Sequence, residues 1–129
     1  MALHTDTKIF KVTYDLSLLV TKLVANMPRN YKADFGADLR KQCFGLVMLV
    51  YRANSASDRP PIIRILREGV EAANLSLRLA ADLRLISRGQ YGEAIALTDS
   101  IGRQATGWLK HSENALAAPP SRRPGQRDY

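Results

Sequence analysis

Arginine offers this 129-residue chain most of its chemistry: 13 of the 19 Lys and Arg residues are arginines, and 12 Asp and Glu leave a net charge of +7. A guanidinium forks onto phosphate or carboxylate oxygens through paired N–H donors, which an ammonium cannot do. Arg64, Arg67 and Arg78 share one helical stripe with Glu71, Asn74 and Asp82, so their forks can address successive phosphates. Lys8, Lys11 and Lys22 form a second stripe with Asp15 between them. Lys41 and Arg52 lie on one side of the next segment with Arg40 elsewhere, and Arg84 and Arg88 end the segment that holds the first stripe. These cations are the candidate nucleic-acid contacts. A plainer reading stands beside that one. Glu71 and Asp82 each follow an arginine by four residues, and a mixed-charge stripe is commonly a solvated, self-paired face.

Catalytic chemistry finds little support. The only histidines are His4 and His111, neither with a carboxylate or nucleophile at a convincing spacing. A helical nuclease of the Arg-x4–6-His kind is rejected because seven residues separate Arg103 from His111. No Glu-x-x-His pair marks a bundle metal site, and no glycine-rich loop is present to cradle a nucleotide. The single cysteine, Cys43, excludes an intrachain disulfide and reads as a small buried hydrophobe. Trp108 can stack a base, yet within Gly-Trp-Leu-Lys it reads more simply as core. The expectation is a non-enzyme with no cofactor and no metal.

Four helical segments must position these side chains. Ile9, Val12, Leu16, Leu19, Val20, Leu23, Val24 and Met27 repeat at i, i+3, i+4 and i+7, giving a helix from about Thr5 to Met27 that Pro28 stops. Residues 29–34 read as a polar connector. A second helix runs from about Phe35 to Ala53 on the stripe Leu39, Cys43, Leu46, Val47 and Val50. Asn54 to Arg59 is a turn. The third helix is expected from Pro61 to Arg88, about 42 Å long, with Gly89 as its C′ residue. The fourth spans Tyr91 to Ser112, with Ala94, Leu97, Ile101, Ala105, Trp108 and Leu109 inward. No run alternates with period two, so no strand is expected. Short connections between long helices predict an all-α, up-down-up-down antiparallel four-helix bundle over 1–115, with a basic Pro/Arg tail over 116–129 expected to be disordered. No signal peptide or membrane span is read, and the expected setting is cytoplasmic.

The helices carry more apolar surface than one bundle uses. On the third, Ile63, Leu66, Val70, Ala73, Leu77 and Ala80 form one arc, while Ile65, Ala72, Leu75, Leu79, Leu83 and Ile86 form a second about 200° round. On the first, Phe10, Tyr14 and Leu18 make a row roughly opposite the core stripe. A compact bundle tolerates some wide faces, but second arcs on two helices point to an assembly seam. Phe10, Tyr14, Leu18, Ile65, Leu75, Leu79, Leu83 and Ile86 are therefore the candidate oligomer-interface residues. A symmetric oligomer multiplies the basic surface, and with no helix-turn-helix signature the expected contact is with the phosphate backbone, without sequence preference.

Several stretches in fixed order carry a family resemblance. Met27-Pro28 with Tyr31-Lys32, Gly36 with Leu39-Arg40, the run LSLRLAADLRLISRGQY from Leu75 to Tyr91, Ile101-Gly102-Arg103 and Gly107 to Lys110 together resemble a family of small four-helix bundles. It includes the proteins encoded in intervening sequences of bacterial 23S ribosomal RNA genes. The chain is more similar to the branch of accessory variability determinants of diversity-generating retroelements, over about Lys8 to Ser112. The resemblance implies a non-enzymatic accessory protein, a ring-like pentamer, that binds RNA and DNA and a reverse transcriptase during mutagenic reverse transcription. The implied setting is a bacterial host cell, with the gene carried by a phage. The alternatives are a helical scaffold docking an acidic protein and an rRNA-associated intervening-sequence protein. The family supplies no catalytic motif.

Overall fold

A computed structural model describes residues 7–117, all of whose long elements are helices: α1 (Lys8–Ala25), α2 (Arg29–Tyr31), a π-turn (Lys32–Gly36), α3 (Ala37–Ser55), α4 (Pro60–Asp82) and α5 (Arg88–Ala117). His4, the expected start at Thr5, and the tail beyond Ala117 lie outside the described residues. The four long helices pack in chain order, α1 on α3, α3 on α4 and α4 on α5, and α1 closes the circuit against α5. This is the four-helix bundle that short connections predict.

The core is the set of inward arcs. Leu16 and Val20 of α1, Leu39, Leu46 and Val50 of α3, Ile63, Leu66 and Leu77 of α4, and Ile101 of α5 are fully enclosed. Two threonines sit among them without leaving orphaned hydroxyls. Thr13 donates to the Ile9 and Phe10 carbonyls at 3.0 and 2.8 Å, and Thr98 to the Ile95 carbonyl at 3.1 Å. Each bond stays within its own helix, so the hydroxyl needs no partner across the core.

Helix boundaries follow local chemistry. Thr7 caps α1, its hydroxyl accepting from the Phe10 N–H at 3.4 Å. The connector expected over 29–34 is instead helical, and Pro28 opens it at its N-cap with φ −55°. The wider π-turn brings Gly36 hard against α1, where a Cβ would lie 2.6 Å from Val24 Cγ1. A similar approach occurs between α3 and α4, since a Cβ on Gly69 would lie 2.7 Å from Leu46 Cδ2.

The largest departure from the sequence reading lies between Asp82 and Arg88. The third helix stops at Asp82, about one and a half turns before the expected end at Arg88. Arg84 adopts φ 60°, its N–H donates to the Ala81 carbonyl at 3.0 Å, and the Leu85 N–H reaches the Ala80 carbonyl at 2.8 Å. This is a Schellman closure with arginine where glycine is usual. Gly89, expected to end that helix, lies in the first turn of α5. Ser87 and Gln90 start α5 reciprocally: Ser87 N–H donates to Gln90 Oε1 at 2.8 Å, and Gln90 N–H to Ser87 Oγ at 3.0 Å. That capping box outweighs the continuous apolar pattern that had suggested one long helix.

Candidate nucleic-acid interface

Taken as a strip, the arginines of α4 are largely answered by carboxylates. Arg64 pairs with Glu113 of α5, Arg78 lies 3.9 Å from Asp82, and on α5 Arg103 pairs with Asp99. Arg67 opens onto a polar groove of about 400 Å³ between α4 and α5, shared with Glu71, Asn74, Asp99 and Arg103. Asn74 Oδ1 is buried there without a hydrogen-bond partner. The self-paired reading of this stripe therefore accounts for Arg78 with Asp82, while Arg64 is answered from α5 and no ion pair joins Arg67 to Glu71. All of these ion pairs are exposed and contribute little to stability.

Lys8, Lys11 and Lys22 are exposed along α1 as their spacing predicts. Lys41 and Arg52 take a different place. They rim an apolar groove of about 570 Å³ between α3 and α4, floored by Gly45, Met48, Leu49, Ile65 and Ala72, with Glu68 on the opposite edge. Arg84 and Arg88 do not end α4: Arg84 is the C′ residue of the turn, and Arg88 is the first residue of α5. Both line a concavity of about 770 Å³ with Asp82, Ser87 and Tyr91.

Two cations were missed by sequence reasoning. Arg29 and Lys32 lie in the segment first read as a connector. The up-down topology sets it at the same bundle end as the α4–α5 turn. Within about a turn of this end are eight exposed cations, namely Lys22, Arg29, Lys32, Arg40, Lys41, Arg78, Arg84 and Arg88, against the carboxylates of Asp34, Asp38, Asp82 and Glu93. No carboxylate of the described residues comes within 4.0 Å of Arg29, Lys32, Arg84 or Arg88.

The apolar candidates divide similarly. Tyr14, Leu18, Ile65, Leu79 and Leu83 are exposed, and Leu75 is the most open at 71%. Phe10 is half-buried, its ring stacked on Tyr14 with centroids 6.3 Å apart. Ile86 is a correction. Chain reversal at Arg84 turns it inward, and at 5% exposure it belongs to the core rather than to an outer seam. Phe44, Met48 and Tyr51 of α3 are also exposed. Their i, i+4, i+7 spacing was the available signal, hidden because that helix is apolar nearly all round.

Other chemistry is bland. His111 is exposed, Trp108 packs against the core, and burial pushes the Cys43 thiol up to about 12. Among the described residues no three His, Cys, Asp or Glu side chains group as metal ligands, and no helix is long and apolar enough to cross a membrane. Residues 8–112 match the model of the family described as bAvd-like. No curated protein matches the chain.

Proposed function

The chain belongs to the bAvd-like family, the accessory variability determinants of diversity-generating retroelements, and from that premise we propose that it works as a non-catalytic, ring-like homopentamer binding RNA, DNA and the retroelement's reverse transcriptase. The observation that carries this reading is the pairing of two unspent surfaces on one bundle. Exposed apolar residues on α1, α3 and α4, among them Tyr14, Phe44, Met48, Ile65 and Leu79, are left uncovered by the monomer and suit contacts between copies. Exposed cations without carboxylate partners suit phosphate. Five copies carry five times the +7 of one chain, so polyanion affinity rises by avidity. The expected setting is the cytoplasm of a bacterial host.

Native mass and RNA binding together test the reading. It expects a species of about five chains that retains RNA at low salt and loses it steeply as salt rises. Phe44→Ser with Met48→Ser is expected to shift the mass toward smaller species while the helical content persists. A wild-type monomer at micromolar concentration refutes the assembly, and absence of RNA retention refutes the nucleic-acid role. A second reading, a scaffold docking an acidic protein, is favoured by the apolar α3–α4 groove with Lys41 and Arg52 on its rim. It expects an acidic protein partner to stay bound through nuclease treatment and high salt, with no nucleic acid retained by the chain alone.

A further inference from the structure

We infer that the phosphodiester-binding surface of this chain is the bundle end carrying the α1–α3 connector and the α4–α5 turn, with Arg29, Lys32, Arg84 and Arg88 as its contacts. This placement rests on the nucleic-acid reading above and narrows it from the helix flanks to one end.

Three observations carry it. First, the topology brings these residues to one end although 52 positions separate Lys32 from Arg84. Neighbouring helix axes lie about 8–10 Å apart, so the four cations spread over roughly 20 Å, room for several successive phosphates. Second, these four are exposed with no carboxylate of the described residues within 4.0 Å, whereas Arg64, Arg78 and Arg103 each already face one. A phosphate arriving at a paired arginine must displace a carboxylate; at an unpaired one it displaces only water and counterions.

Third, Arg84 occupies a left-handed position, φ 60°, where glycine is favoured. The turn holds a guanidinium there at the expense of backbone comfort, and that outlier marks the position as one where the side chain matters. Arg84 and Arg88 open onto the same concavity, with Ser87 and Tyr91 on its wall. The α5 capping box already occupies the Ser87 and Gln90 N–H groups. The charged donors on offer there are the two arginine forks.

The test compares two variants of equal charge change in the full chain. One carries Arg29→Gln, Lys32→Gln, Arg84→Gln and Arg88→Gln; the other, away from that end, carries Arg52→Gln, Arg64→Gln, Arg67→Gln and Arg103→Gln. Binding to a fluorescein-labelled, unstructured oligouridine RNA is read by anisotropy across a salt series. The end variant is expected to bind at least about tenfold more weakly at ~100 mM salt, with the log–log salt slope reduced by about 3, or roughly 0.7 per lost contact. The flank variant is expected to lose less than about threefold. Arg29→Gln with Lys32→Gln alone leaves the α4–α5 turn intact and is expected to give about half the slope change. Equal losses in the two quadruple variants, or a larger loss from the flank, overturn the placement and leave the nucleic-acid reading standing. Failure of the wild-type chain to bind RNA overturns both.

Discussion

Replacing Arg84 with glycine is expected to make the protein more stable, an uncommon direction for a substitution at an ordered turn. The reason is local. At φ 60° the Arg84 Cβ crowds the following carbonyl, a cost of about 1–2 kcal/mol for a residue other than glycine. Glycine removes that cost but loses about 0.5–1 kcal/mol through its greater freedom in the unfolded chain. The Schellman bonds from Arg84 N–H to the Ala81 carbonyl and from Leu85 N–H to the Ala80 carbonyl involve only backbone and are retained. The side chain is exposed and unpaired, so little packing is lost with it. A net gain of about 0.5–1 kcal/mol remains, which corresponds to roughly 2–4 °C in Tm for a chain of this size. Arg84→Ala is the control, because it deletes the charge and keeps the Cβ. Melts followed by circular dichroism at one protein concentration, to hold any assembly constant, should rank glycine above arginine and alanine level with arginine. Equal stability of the glycine and alanine variants would refute the argument. The same Arg84→Gly variant is expected to bind RNA more weakly, separating stability from function at one residue.

Gly36→Ala is expected to destabilise by about 1–3 kcal/mol, because its Cβ would overlap Val24 Cγ1 in a closely packed contact. Much of that loss should return when Val24→Ala is combined with it, and denaturant titration of the double-mutant cycle measures the coupling. Cys43 should resist a thiol-specific disulfide reagent at pH 8 until denaturant is added, since burial pushes its thiol up to about 12. The folded state then keeps the proton that the unfolded thiol releases as pH rises above about 9. That contribution to stability is full below this point and lost as pH climbs toward 12, so urea midpoints of wild type should fall over this range more steeply than those of Cys43→Ala.

The bundle was legible because its core obeys one period. Leu16, Val20, Leu39, Leu46, Ile63, Leu77 and Ile101 are all enclosed where a helical stripe places them. The α4–α5 turn was not legible for a physical reason. Leu83, Leu85 and Ile86 continue an apolar pattern through the break, while the signal that breaks it is a non-glycine residue in a left-handed conformation. Ser87-x-x-Gln90 was the one local cue, and a capping box reads clearly only when a helix start is already suspected. Moving that boundary carried Ile86 into the core and Arg84 and Arg88 to the bundle end. The candidate site thus depended on a few residues of turn chemistry rather than on periodicity.

The same physics separates the two kinds of arginine in this chain. On the helix flanks three arginines meet a carboxylate at i+4 or on the adjoining helix, Asp82 for Arg78, Glu113 for Arg64 and Asp99 for Arg103, while Lys8, Lys11, Arg52 and Arg67 meet none among the described residues within 4.0 Å. A cation in a turn at the end of a bundle has neighbours on one side only and faces water on the other. Arg29, Lys32, Arg84 and Arg88 keep their charge unpaired among the described residues for that reason. Net charge weights both kinds alike and so misplaces the surface that a polyanion meets. What draws phosphate is the field of unpaired cations, and the bundle end gathers seven of them, whereas two of the three arginines on the α4 stripe already face a carboxylate.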